Sequence, residues 1–440
     1  MAKLDATTHP DSELPINETE ASWIASLINI SRTGGSILSA IFVYSIGTKS
    51  TALISGIPLA IGWICFFMVN SVTLVYVSRI FSGIGIGMYF SSFSLYIGEI
   101  SHPNIRGALV TVNVQGFLMG NLCGNIMGKY FKMWLFAAVS LVFNVIFIML
   151  FSMMPHTPHY LIRCNKMDKA VESISWYDRT ADVTNELKVL EQFLTVHQSH
   201  SFWDEFRALS KPVNRKTLLM IIIITVCTQL GGPYAFSSYM EIIMTNARLD
   251  IMKPSDLIIG VSVIGIVSSW LSIYTIDRWG RTIMLLISSI GAAFAMFLIG
   301  LNFQLLDLDY NDSRLQWLSI TGTIMYRIMS SFGLLSVPSI LASEMFAPNV
   351  KSVGSCIINI NVGMFAFAAS RSYQPLVSIL TEKYVFWIYT LLMIVTGVYT
   401  IAFVPETKDK TLAEIHEMLF SGKKKKEKVK RCNINDSVLE

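Results

Sequence analysis

Charge is what this sequence has least of. Asp, Glu, Lys and Arg together make up 15% of its 440 residues, against 52% hydrophobic ones, and the mean hydropathy is +0.53. A water-soluble domain has too little interior to hide that much apolar surface, so the composition indicates a polytopic membrane protein. No basic stripe marks a nucleic-acid surface. Cysteine gives no disulfide framework: Cys65, Cys123, Cys227 and Cys356 sit in apolar runs, Cys164 and Cys432 in polar segments. All seven histidines (His9, His102, His156, His159, His197, His200 and His416) fall outside the apolar runs. HExxH, GxSxG and P-loop patterns are missing, so metal, acyl-transfer and nucleotide chemistry have no foothold, and neither a cofactor nor an enzymatic activity is expected. The first residues lack the basic start and short apolar core of a signal peptide.

What the chain has is long apolar runs. Eleven of them approach the roughly 20 residues that a bilayer demands: Trp23–Ile46, Ala52–Asn70, Leu74–Gly98, Gly107–Gly128, Trp134–Met154, Thr217–Thr245, Ser255–Ile276, Thr282–Phe303, Trp317–Ala342, Val353–Tyr373 and Tyr384–Val404. The expected organisation is an outer segment 1–22, a first helical bundle 23–154, an inner linker 155–216, a second bundle 217–404 and a basic inner tail 405–440. Short helices are expected in the linker around Met167–Trp176 and Val183–Phe193. The fold class is all-α.

An internal repeat supports two related bundles. Glu99-Ile-Ser-His-Pro103-Asn104-Ile105-Arg106 returns as Glu344-Met-Phe-Ala-Pro348-Asn349-Val350-Lys351, with acid, proline, asparagine, β-branched residue and base at identical spacing. Two such halves are a common plan for transporters. An odd number of spans puts the termini on opposite sides. Most of the 34 Lys and Arg residues fall inside if the N-terminus is outside, which sets that orientation. The triplets Asn17-Glu-Thr19 and Asn311-Asp-Ser313 then lie outside as glycosylation candidates, Asn17 and Asn311 being the acceptors. The basic run Lys423–Arg431 is expected to lie against anionic inner-leaflet lipid.

Charges at the inner turns suggest a gate. Glu99, Arg106, Asp277, Arg281, Glu344, Lys351 and Glu406 are candidate gating charges, and of these Glu99, Arg106, Arg281, Glu344 and Lys351 are expected to pair across the halves when the inner side is shut. Topology alone asks for bases, not for acids at repeated positions. Within the runs the ionisable residues are Arg32, Arg79, Glu241, Arg327 and Arg371. Arg79 and Arg371 sit near outer ends and can snorkel. Arg327 is deep and needs a partner, for which Glu241 is the candidate. Amides and hydroxyls in the runs, Gln115, Thr228, Gln229, Asn361 and Tyr239, suit a polyhydroxylated ligand, though any one of them serves equally to bind helix to helix. The Gly83-Ile-Gly85-Ile-Gly87 run lacks the spacing of a dinucleotide fingerprint and reads as helix packing.

Taken together, Arg79-Ile-Phe-Ser-Gly83-Ile-Gly85-Ile-Gly87, Tyr96-Ile-Gly98-Glu99, Arg106-Gly107, Asp277-Arg278-Trp279-Gly280-Arg281 and Pro405-Glu406-Thr407-Lys408 resemble the sugar porters of the major facilitator superfamily. Tyr373-Gln374-Pro375 and the Pro-His-Thr-Pro-His stretch at Pro155 look most like insect facilitated trehalose transporter-like proteins. The resemblance covers about Ala21 to Met418. It implies two pseudo-repeated bundles, alternating access, a sugar site between the halves and residence in the plasma membrane. The family's first span has no counterpart, the chain starting where the first outer loop would lie. The sugar-contacting positions also depart from the pattern. Of the QQxSGxN stretch only Gln229 and Gly232 remain, with Thr228, Gly231 and Tyr234 in the other places. Ser339 replaces the tryptophan of GPxPW and Leu335 its glycine. Gln115 and Asn361 each stand one place from a family amide. The function expected is carriage of a hexose or trehalose, by facilitated diffusion because Glu241 is the only acid well inside a span. The alternative is a transport-inactive, transporter-like nutrient sensor.

Overall fold

A computed structural model describes residues 16–101, 103–177, 187, 202–308, 310, 313–346, 350–408, 410, 414, 415 and 418. Among the described residues the regular structure is helical. The elements are α1 (Glu18–Ile46), α2 (Thr48–Ile54), α3 (Gly56–Phe67), α4 (Val72–Ile100), α5 (Pro103–Tyr130), α6 (Met133–Ser152), α7 (Pro158–Arg163), α8 (Met167–Tyr177), α9 (Phe202–Leu209), α10 (Pro212–Leu230), α11 (Pro233–Asn246), α12 (Pro254–Trp279), α13 (Arg281–Asp307), α14 (Gln316–Met329), α15 (Val337–Met345) and α16 (Lys351–Phe403). Outer and inner below follow the charge asymmetry of the sequence.

Nine helices among the described residues are long and apolar enough to cross a membrane, against the eleven spans expected. The difference lies in two places. α5 is not among the nine, and Val353–Phe403 is counted once. That long element is two helices joined at a kink, where Thr381 takes φ 66°. Large apolar side chains face outward along the spans, Phe143 64% and Ile401 67% exposed, as lipid contact requires.

Close packing of α1 on α4 comes from the alternating glycines. A Cβ on Gly83 would run into the carbonyl of Ile28 and one on Gly87 into that of Arg32, whereas Gly85 faces Leu59 and Ser55 on the other side. Glycines two apart thus let α4 press against two neighbours at once. The second bundle has one continuous core that includes Tyr239, Ile243, Met284, Met296, Leu341 and Phe386. The first is held by smaller clusters, one around Ile24, Phe66 and Val75, another around Tyr96, Ile97 and Phe151.

The two bundles meet along two helix pairs, α1 on α16 and α5 on α12. Across the first pair Arg371 donates to Ser22 Oγ at 3.0 Å and lies over the Trp23 ring. Deeper, Asn29 Nδ2 donates to Ser370 Oγ at 3.2 Å. Across the second, Lys129 pairs with Asp256 at the outer end. Asn125 then bonds Ser262 at 3.0 Å, and Gln115 bonds Ser269 at 2.9 Å. Polar contact between the bundles therefore runs from the outer ends to mid-depth.

Candidate functional site

A cleft between the helices is lined by Thr228, Gln229, Pro233, Tyr326, Ser330, Leu334 and Leu335. It lies where two helices are interrupted. α10 stops at Leu230, and Gly232 at φ 97° starts α11. A left-handed residue there needs glycine, and Pro233 suits the first turn that follows. On the facing side, α14 gives way to a π-turn at Ser330–Leu334 before α15. Interruptions of this sort leave backbone and side-chain polar groups free to face a cavity. The space between atoms there, including what opens to solvent, amounts to about 220 Å³, and every residue that lines it belongs to the second bundle.

Unsatisfied acceptors mark the surroundings. Gln229 Oε1, Gln115 Oε1 and Asn361 Oδ1 are buried without a hydrogen-bond partner. Gln115 uses its amide nitrogen to bridge the bundles, and Thr228 donates to the carbonyl of Thr225 at 3.0 Å. Of the five expected ligand contacts, Thr228 and Gln229 line the cleft, and Gln115 and Asn361 do not. Tyr239 is 1% exposed, stacked on Tyr373 with ring centroids 4.8 Å apart, inside the second bundle's core.

The expected intramembrane pair does not form. Arg327 lies against Gly265 on α12, with its Nε unpartnered, and no ion pair joins it to Glu241. Glu241 sits on the short α11, which follows the break at Gly232. Arg32 is the residue to which sequence reasoning gave no role. Its Nη1 donates to Tyr234 Oη across the bundle interface at 3.0 Å, and its guanidinium lies 4.8 Å from the Phe90 ring centroid. The signal was present in the sequence: Arg32 falls in the middle of its apolar run, too far from either end to snorkel.

At the inner turns, the contacts seen among the described residues join each gating charge to its own bundle. Arg281 donates to Glu344 Oε1 from Nε at 3.1 Å and Nη2 at 3.0 Å. Thr407 donates to the other oxygen of Glu344. Glu406 accepts the backbone N–H of Arg281 at 2.9 Å and of Thr282 at 3.1 Å, so it caps α13. Burial pushes its carboxyl up, but the N–H groups of Arg281, Lys408, Thr282 and Thr407 outweigh that and hold it below the ordinary value. In the first bundle Thr48 Oγ1 donates to Glu99 at 2.7 Å. The reason for local pairing is reach, since each acid follows its own bundle's span down to its own bundle's turn. The side chains of Arg106, Asp277 and Lys351 lie outside the described residues, as do Asn311 and the Lys423–Arg431 run. Asn17 is exposed at the start of α1.

The family model for "Sugar (and other) transporter" matches residues 3–419. The chain belongs to that family. It is 25% identical over 405 residues to the facilitated trehalose transporter Tret1 of Polypedilum vanderplanki, covering 92% of this chain and 80% of that one. With Tret1 of Bombyx mori it shares 25% over 417 residues, 94% of this chain and 81% of that one. Tret1 of Anopheles gambiae is longer: the match, 24% identical, covers 92% of this chain and 51% of that one. Among solved structures, the proton:xylose symporter XylE bound to 6-bromo-6-deoxy-D-glucose superposes with a TM-score of 0.74 at 19% identity, over 90% of this chain and 89% of that one. Inward-open XylE of E. coli gives 0.74 at 18%, over 91% and 89%. At such identity these structures establish the fold, that of the major facilitator superfamily. The chain is a multi-pass membrane transporter, not an enzyme.

Proposed function

We propose that the chain moves a hydroxylated solute of the sugar class across the plasma membrane by rocking its two bundles against each other, with the cleft at Gln229 on the solute's path. The observation that carries this reading is Gln229 Oε1, a buried acceptor without a donor on a residue that lines the cleft; Gln115 Oε1 and Asn361 Oδ1, one from each bundle, are among the other buried amide oxygens left without one, with Asn302 Oδ1 and Gln374 Oε1. A stranded acceptor costs about 1–3 kcal/mol, and sugar hydroxyls are donors that relieve it. The relatives named as trehalose transporters support the class of solute. Glu241 is the single acid well inside a span, which favours facilitated diffusion over proton coupling. In this reading the N-terminus with Asn17 is outside and the C-terminus inside. The basic tail rests on anionic lipid, at about 1 kcal/mol per base near the surface. The Arg281–Glu344 pair helps shut the inner side.

Uptake of radiolabelled glucose and trehalose in transporter-null yeast tests the proposal. Gln229→Ala should lower uptake about tenfold, the equivalent of one lost hydrogen bond to a buried group, with surface delivery unchanged. Absence of uptake by a correctly delivered chain would remove the carrier reading and leave the sensor.

A further inference from the structure

Two guanidinium groups lie deep in spans, Arg32 at the bundle interface and Arg327 within the second bundle against α12, and among the described residues neither forms an ion pair. Arg32 is fourteen residues from Glu18 and fourteen from Ile46, the two ends of α1. At 1.5 Å per residue that is about 21 Å of helix either way, beyond any snorkelling reach. Arg327 is eleven residues into α14 from Gln316. Its guanidinium lies against Gly265, which sits on α12 between Ser262 and Ser269, the two serines that bond α5 of the other bundle. The ion pairs among the described residues are Lys129–Asp256, Arg281–Glu344 and Lys383–Asp307. None of them involves Arg32 or Arg327.

The neighbours of Arg32 are neutral. One nitrogen meets the Tyr234 hydroxyl, the cation lies over Phe90, and Nε is buried without a partner. Tyr234 adjoins Pro233 and Arg327 adjoins Tyr326, and both Pro233 and Tyr326 line the cleft. A charge held at this depth is expensive unless it is paired or faces the solute path. Pairing with a carboxylate is not what the described residues supply.

We propose that the solute bears a negative charge: a monosaccharide carrying a carboxylate, bound with its acid group toward Arg32 and Arg327 and its hydroxyls toward Gln229 and Asn361. The inference rests on the carrier reading above and narrows its substrate class. A guanidinium offers five donors in a planar fork that matches a carboxylate, and the donors of Arg32 are underused. An anion neutralises the interface as the bundles rock, whereas a neutral sugar leaves the positive charge unbalanced throughout.

D-glucuronate and D-glucose share a ring and differ by the carboxylate at the terminal carbon, so the pair isolates the charge. The whole chain in proteoliposomes should take up radiolabelled glucuronate at least tenfold faster than glucose, with a current, since each turnover moves one negative charge. Arg32→Gln should cut glucuronate uptake tenfold or more, Arg32→Lys should retain part of it, and Arg327→Gln should act in the same direction. If Arg32→Gln does not reach the membrane intact, Arg327→Gln and the unmodified chain carry the test. Glucose uptake without glucuronate uptake would overturn the anion inference and leave the carrier reading standing. Uptake of neither would overturn both. Glucuronate uptake undiminished in Arg32→Gln and Arg327→Gln would remove the arginines from the site.

Discussion

The two inner turns share a backbone and differ in chemistry. Gly47 (φ 85°, ψ 165°) ends α1 and starts α2, and Gly280 (φ 93°, ψ 165°) ends α12 and starts α13. In each case a side chain from after the bundle's last span covers the turn. In the second bundle it is the carboxylate of Glu406, in the first the ring of Tyr160. A base then secures the preceding carbonyls: Lys408 reaches the carbonyl of Arg278 at 2.9 Å, and Arg163 that of Tyr44 at 2.8 Å. Arg281 gives Glu344 a charged partner, whereas Thr48 gives Glu99 a neutral one. Where the second bundle reads Pro405-Glu406-Thr407, the first reads Pro155-His156-Thr157. Among the described residues, the second turn holds an ion pair and the first a neutral hydrogen bond on the same backbone geometry.

The shared geometry should break equally, and most severely. Gly47→Ala and Gly280→Ala each force a side chain into a positive-φ, extended-ψ conformation that is essentially glycine's alone, costing about 1–3 kcal/mol for the backbone. Each also drives a methyl into the covering group, the Tyr160 ring or the Glu406 carboxylate. Thermal unfolding of the purified variants should show both destabilised by similar amounts. A large loss in one and none in the other would refute the equivalence of the turns.

The charge chemistry should break unequally. Arg281→Ala strands Glu344, a half-buried acid, and should cost more than Thr48→Ala, which removes one neutral bond to Glu99. The expected costs are about 1–3 kcal/mol and about 1 kcal/mol. Access of a thiol reagent to a cysteine placed at the inner mouth should rise in Arg281→Ala and little in Thr48→Ala. Equal labelling would mean that the charge has no gating part.

pH should separate the halves by the smallest margin. Burial, then the charges of Lys49, Lys166 and Lys169, hold His156 below its ordinary value of 6.5. The folded chain therefore binds fewer protons there than the unfolded one, and stability is lost as pH falls below 6.5. Glu406 is depressed below 4.5, so its contribution persists until pH falls beneath that value. Between pH 7 and 5 the first bundle should loosen slightly while the second holds. His156→Gln should flatten this slope in a melting series.

Much of this plan was legible in the residues. The acid-Pro-Asn repeat announced two related halves, and the alternating glycines at Gly83, Gly85 and Gly87 announced close helix packing. Rotation about helix axes was not legible. A cleft was foreseeable at Gln229, but Tyr239, ten residues on, turned out to serve the core because the break at Gly232 resets which face of α11 looks inward. For the gating charges a linear pattern shows which charges recur and not which turn lies within reach: among the described residues Glu344 and Glu99 meet partners of their own bundle. Arg32 was visible as a mid-span base, yet its significance depended on Tyr234 meeting it from the other bundle.

The central claim is that solute passes between two bundles that rock against each other. Locking them together at the outer ends tests it most directly. Lys129 and Asp256 touch there across the α5–α12 seam. Lys129→Cys with Asp256→Cys, in a chain freed of its other cysteines, should transport when reduced, stop when oxidised and recover on adding reductant. Undiminished uptake from the fully cross-linked protein would contradict the account.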